Sequence, residues 1–175
     1  MSELAQVTRV TARGMITLRG DLTSALMKKA VKALTGQAMP TSGQFFGDAT
    51  SGVAWMSPDE LLLILPYVDV AKSVAQIDET LKGQHYLAAD VSDARSMFSV
   101  QGVDANEVLA RLCPVDLHVD SFAIGDFRRS RMAQVAAAFW RHDSGFDVIC
   151  FRSVADYAYG VLNHAAQGEP IGALT

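Results

Sequence analysis

Two stretches of the chain hold the candidates for proton transfer. Asp90 and Asp93 sit in Ala89-Asp90-Val91-Ser92-Asp93-Ala94-Arg95, and Asp116 sits in Cys113-Pro114-Val115-Asp116-Leu117-His118. A third stretch, Arg152-Ser153-Val154-Ala155-Asp156-Tyr157, marks the switch from a strand to the last helix. A catalytic carboxylate needs a cleft and a displaced pKa, which spacing alone does not supply. Structural roles are the simpler expectation. Asp90, Ser92 and Asp93 fall between strand-like runs, where such side chains bond backbone N–H groups, and Arg95 has an acid to pair with across the turn. Asp116 follows a helix end and Pro114, where an acid ties down a loop. Ser153 reads as an N-cap, with Asp156 in the positive first turn of the helix that follows.

The remaining chemistry is sparse. The four histidines, His85, His118, His142 and His164, never fall at a metal-ligand spacing, and Cys113 and Cys150 lie in apolar runs that suit reduced, buried thiols. No Gly-x-Gly-x-x-Gly, no phosphate loop ending in Lys-Ser/Thr and no nucleophile elbow occurs, so neither a dinucleotide nor a triphosphate cradle is signalled. The expectation is therefore no catalytic, cofactor-binding or metal-binding residue in this chain. The net charge of −4 is dispersed, and its one basic cluster, Arg128-Arg129-Ser130-Arg131, is brief, which argues against nucleic acid as a partner. Apolar runs such as Leu61 to Pro66 fall far short of the ~20 residues that span a bilayer, and Met1-Ser2-Glu3-Leu4 lacks a secretory signal's features. A cytoplasmic protein is expected, with no membrane contact.

The elements that must carry these residues come in two rounds. Met15 to Arg19 alternates like a strand, and Leu22, Ala25, Leu26, Ala30, Ala33 and Leu34 recur at helical spacing until Thr35-Gly36. A short strand near Gln44 to Phe46 follows. Val53 to Met56 and Leu61 to Leu65 read as a hairpin around Ser57-Pro58-Asp59-Glu60, and Val70, Val74, Ile77 and Leu81 mark a second helix. The later residues repeat the order: a strand over Ser96 to Val100, a helix over Asp104 to Leu112, paired strands Arg131 to Trp140 and Phe146 to Phe151, and a helix from Ser153 to His164. Gly20 and Gly102 are 82 residues apart, while Trp55 and Trp140, like Ile64 and Ile149, are 85 apart. The expected class is α+β: a single domain, 1–175, made of two pseudo-repeated β-α-β-β-α halves at about 14–82 and 94–165, with mainly antiparallel sheet and packed helices.

From Asp90 to Leu162 the joint order of Asp90-Val91-Ser92-Asp93-Ala94-Arg95, Gly102 with Val108-Leu109-Ala110, Cys113-Pro114-Val115-Asp116-Leu117-His118, Phe122 with Gly125, Arg131-Met132-Ala133-Gln134, Trp140 and Phe151-Arg152-Ser153-Val154-Ala155-Asp156-Tyr157 resembles the sarcosine oxidase gamma subunit family. Met56-Ser57-Pro58-Asp59-Glu60-Leu61-Leu62-Leu63 extends the likeness toward the N-terminus. The same frame is similar to the folate-binding domain of glycine-cleavage aminomethyltransferases. That domain carries a Gly pair followed by acids, whereas Gln134-Val135-Ala136-Ala137-Ala138-Phe139-Trp140 has neither, so the folate role does not carry across.

The resemblance implies a non-catalytic gamma subunit that helps assemble heterotetrameric sarcosine oxidase, with alpha, beta and delta subunits as partners. That complex oxidises sarcosine to glycine, yielding hydrogen peroxide and formaldehyde or methylenetetrahydrofolate. FAD, FMN, NAD, tetrahydrofolate and zinc would then reside in the partner subunits, and the isolated chain could form a homo-oligomer. A stand-alone folate-binding, aminomethyltransferase-like protein is the alternative, and a free-standing adaptor a third.

Overall fold

The computed structural model describes residues 3–48 and 50–169. Its strands form two five-stranded, wholly antiparallel sheets, and the chain divides into two compact units. The first, Ala12–Asp93, is continuous in sequence, and we call it the contiguous unit. The second, composite unit joins the residues up to Thr11 to those from Ala94 onward.

The contiguous unit runs β2 (Arg13–Gly20), α1 (Ala25–Thr35), β3 (Phe45–Gly47), β4 (Gly52–Ser57), β5 (Glu60–Pro66), α2 (Val70–Thr80) and β6 (Tyr86–Asp90). Its sheet order is β3-β4-β5-β2-β6. Helix α1 buries Met27, Ala30 and Val31, the i, i+3, i+4 stripe of one helical face, and stops where Gly36 takes a left-handed φ of 71°. The hairpin turn is held by Ser57, whose hydroxyl donates to Asp59 at 2.7 Å, while Asp59 also receives Arg19 at 2.7 Å. Leu61 through Leu65 are all buried, so β5 is covered on both faces and reads as an unbroken apolar run.

In the composite unit β1 (Gln6–Val10) precedes β7 (Arg95–Gln101), α3 (Ala105–Ala110), β8 (Phe127–Met132), β9 (Val135–His142), β10 (Gly145–Phe151) and α4 (Ala155–Ala166). The order β1-β7-β10-β9-β8 matches the other sheet position for position, with β1 in the place of β6. Phe98, Val100, Phe139, Phe146 and Val148 pack with Val108, Leu109 and Leu162 in one core. Arg9 ties β1 to α4: its guanidinium lies 4.5 Å from the Tyr159 ring centroid and its Nη2 donates to Asp156 at 2.7 Å.

The α+β class and the antiparallel hairpins agree with the sequence reading, and several details differ. The stretch Arg131 to Trp140 is two strands rather than one. The chain reverses at Ala133-Gln134, where Ala133 adopts φ 50° without the Gly, Asn or Asp that ordinarily announces such a turn. Strands β1 and β6 lack alternation strong enough to have been read. Ser153 does not cap α4. A 3₁₀ turn over Arg152–Val154 intervenes, the helix starts at Ala155, and its N-cap residue, Val154, supplies no side-chain bond.

The register also sorts the repeat landmarks. Met15 and Met97, each five residues before its glycine, pair with Ile64 and Ile149, so the Gly and Ile landmarks are equivalent. The tryptophans are not. Trp140 faces Asp147, whose counterpart is Leu62, but Trp55 faces Leu61. The offset is one residue, and in a strand one residue turns a side chain to the opposite face.

Candidate functional site

The carboxylates singled out in the sequence are spread over separate elements and occupied by local bonds. Asp90 closes β6 and accepts both the Ser92 backbone N–H at 2.9 Å and the Ser92 hydroxyl at 2.5 Å. Ser92 Oγ in turn accepts the buried N–H of Met15 at 2.9 Å, fastening the end of this unit to its first strand. Asp93 accepts the Tyr67 hydroxyl at 2.9 Å. Asp116 takes the His118 N–H at 3.0 Å, and bonding from Ser121 and His118 holds its pKa below the usual carboxylate value, as befits an acid kept ionised to secure a loop. Arg95 places its guanidinium 5.7 Å from the Phe151 ring centroid.

Both cysteines are buried and free of disulfides. Desolvation pushes the Cys113 thiol up to about 12 and raises Cys150 as well. Thiolate is the reactive form, so neither is a nucleophile near neutral pH. Among the described residues, no group of three or more His, Cys, Asp and Glu side chains could hold a metal ion. No helix among them is long and apolar enough to cross a membrane.

Buried Asp147 and half-buried His142, to which the sequence reading gives no joint role, come together in the composite unit's sheet. Asp147, central in β10, is 4% exposed between Ser99 on β7 and Trp140 on β9. Its Oδ1 lies 3.7 Å from Nε2 of His142, at the end of β9. Asp147 raises the His142 pKa, as hydrogen-bond acceptor first and as charge second, with burial opposing. At 3.7 Å, beyond ordinary N–H···O reach, the carboxylate acts on the imidazole through charge attraction. The signal for Asp147 was a lone acid inside Gly145-Phe146-Asp147-Val148-Ile149-Cys150, an otherwise apolar strand.

Beside this pair, the β9–β10 turn borders a cavity of about 120 Å³ lined by Asn106, Arg141, His142, Asp143 and Ser144 among others. Ser144, His142 and Asp147 present a hydroxyl, an imidazole and a carboxylate in sequence, the order used for nucleophile activation. The geometry fits a hairpin lock instead. His142 Nδ1 accepts the Ser144 backbone N–H at 3.3 Å, so the lone pair that would take the hydroxyl proton at 3.2 Å is already engaged. Arg141 is likewise committed, donating to the Phe122 carbonyl at 2.8 Å. The stretch Gln134 to Trp140 buries Ala137, Ala138, Phe139 and Trp140, and the acid nearest to it in the sheet is Asp147, one strand away.

Comparison with known proteins gives a consistent answer. The sarcosine oxidase, gamma subunit family matches residues 19–168. Sarcosine oxidase subunit gamma of Corynebacterium sp. (strain U-96) is 29% identical over 144 residues, covering 79% of this chain and 65% of that protein. The chain thus matches just under two thirds of the length of that relative. In fold it is similar to a chain of heterotetrameric sarcosine oxidase from Corynebacterium sp. U-96, solved in complex with pyrrole 2-carboxylate, at TM-score 0.85 and 24% identity over 97% of this chain and 89% of that one. Aminomethyltransferase T of the glycine cleavage system from Bartonella henselae shares the fold at TM-score 0.66 and 13% identity, over 91% of this chain and 45% of that one.

Proposed function

Because the chain belongs to the sarcosine oxidase gamma subunit family, we propose that it is a non-catalytic assembly subunit of a heterotetrameric amine-oxidising complex acting on sarcosine. The observation that carries this reading is the family match across most of the chain, joined to a shared fold with a chain of such a complex. The local chemistry is compatible with it: the acids close turns, the thiols are held protonated, and the Ser144-His142-Asp147 arrangement locks a hairpin.

In this reading alpha, beta and delta subunits surround the chain in the cytoplasm. They carry FAD, FMN, NAD, tetrahydrofolate and zinc, and perform the oxidation of sarcosine to glycine. The gamma subunit contributes surface rather than reacting groups. Side chains such as Val68 at 85% exposure and Val103 at 93% supply apolar area of the kind that subunit contacts bury. Co-expression with the larger subunits, followed by size-exclusion chromatography, tests the proposal. The chain is expected to co-elute with yellow flavoprotein while the separated chain stays colourless; a colourless chain that elutes alone contradicts it.

One observation favours a second reading, a stand-alone folate-binding protein: an acid, Asp147, is buried within an aminomethyltransferase-like fold. Calorimetry of the isolated chain with tetrahydrofolate separates the two. Micromolar binding, about −8 kcal/mol, that Asp147→Asn or Asp116→Ala abolishes would replace the assembly reading.

A further inference from the structure

The basic cluster at 128–131, which no part of the proposed function uses, lies on β8, the edge strand of the composite unit's sheet among the described residues. Arg128, Arg129 and Arg131 are all exposed on a strand pinned at both ends by buried Phe127 and Met132. β8 pairs with β9 through six successive positions, Phe127↔Trp140 to Met132↔Val135, with no register shift. An edge strand of this kind presents a row of backbone N–H and C=O groups to a further strand. Edges are ordinarily blunted by brevity, bulges, proline or charged side chains; β8 has only the last, and its three arginines bar a strand of like charge while leaving the backbone open to an acidic one. The corresponding edge of the contiguous unit, β3, is blunted by brevity: three residues, Phe45–Gly47.

The charge selects the partner. Three of the chain's 15 basic residues fall within four positions of a protein with net charge −4. A second copy of β8 would set arginine against arginine, so self-pairing is disfavoured. Arg129 and Arg131 share one strand face, and Arg128 turns to the other, where its guanidinium lies 5.9 Å from the Phe122 ring centroid. Positive charge therefore flanks the edge on both faces.

We propose that β8 is a docking strand for an extended, acidic segment of a partner chain, which joins the sheet by main-chain pairing and sets its carboxylates against Arg128, Arg129 and Arg131. The identity of the partner as another subunit rests on the function proposed above; the strand-addition chemistry does not.

Two arms test it. In the first, the full chain is titrated with a labelled peptide of alternating glutamate and valine, with an alternating lysine and valine peptide as control, while hydrogen exchange is followed. The expected result is binding of the acidic peptide alone, weakening as salt rises, with slowed exchange in 127–132. The Arg128→Glu/Arg129→Glu/Arg131→Glu variant, confirmed as folded by its circular dichroism, should bind about tenfold more weakly or worse, a loss of at least ~1.4 kcal/mol. The milder Arg129→Gln/Arg131→Gln variant serves should that one not fold. Equal binding of both peptides, protection elsewhere, dimerisation of the wild-type chain through β8, or displacement of the acidic peptide by duplex DNA would overturn the proposal.

In the second arm the wild-type chain and the variants are co-expressed with the larger subunits. Assembly of the wild type that the charge reversals weaken supports docking through β8, and assembly that they leave unchanged overturns it. Failure of the wild type to assemble overturns the subunit reading alone, because the peptide arm still decides this one.

Discussion

At matching register positions the contiguous unit buries Leu62, opposite Thr17, and the composite unit buries Asp147, opposite Ser99. Sheet order, the glycines at the ends of the equivalent strands (Gly20 closing β2, Gly102 just past β7) and the Met–Ile pairs are the same, yet one site is hydrocarbon and the other a carboxylate near His142. The two edges have diverged as well. The contiguous unit ends in the short β3, the composite unit in six residues carrying three exposed arginines. Strand order is therefore maintained by packing that many apolar side chains satisfy, while the polar differences are concentrated in one unit.

The sharpest way to test that correspondence is to exchange the two central residues. Leu62→Asp would bury a carboxylate with no adapted partner and should cost about 4 kcal/mol or more. Asp147→Leu, made together with His142→Leu so that neither partner is left behind, replaces the pair by hydrocarbon and should change stability by under about 1 kcal/mol. Urea unfolding measures both, and equal costs would break the register equivalence. The paired glycines sharpen it further. A Cβ on Gly102 would meet Leu4 O at 2.7 Å and Ala5 Cα at 2.8 Å, both backbone atoms, whereas a Cβ on Gly20 meets first the mobile end of Met27 at 2.8 Å. Both have positive φ, 158° and 152°. Gly102→Ala should cost about 2–3 kcal/mol and Gly20→Ala about 1 kcal/mol less, a gap of several degrees in Tm.

Strand β1 offers a smaller effect. Arg9→Ala removes the stack on Tyr159 along with an ion pair to a largely solvated acid, and should cost about 1 kcal/mol, nearly all of it from the stack. Asp156→Ala should be barely detectable in the same unfolding assay. The smallest effect is a pH slope. The folded-state pKa of His142 is raised, so its contribution to stability is complete below the imidazole's unfolded value of 6.5 and fades as pH rises through the folded value. Midpoints across neutral pH should fall in the wild type and flatten in His142→Asn and in Asp147→Asn.

How much could be read beforehand depended on whether periodicity or distant pairing set the structure. Helices α1 and α2 and the β4–β5 hairpin were legible because 3.6-residue stripes and the Ser57-Pro58-Asp59-Glu60 turn are local signals. The turn at Ala133-Gln134 was hidden by its alanine, and β1 by its partner β7, which lies far along the chain. The local roles of Asp90 and Asp116 followed from their side-chain chemistry. Asp147 and His142 did not, since β9–β10 pairing rather than any sequence pattern brings them together. The match of Trp55 to Trp140 failed because a constant offset does not guarantee a shared face.

Purification of this chain from its native host under mild conditions, with its companions identified by mass spectrometry and the eluate's visible spectrum recorded, bears most directly on the account. Larger flavin-bearing subunits should accompany it, and the flavin absorption should remain with them when the chain is stripped away. A chain recovered without companions, or one that keeps a flavin or a pteridine of its own, would contradict the assembly role.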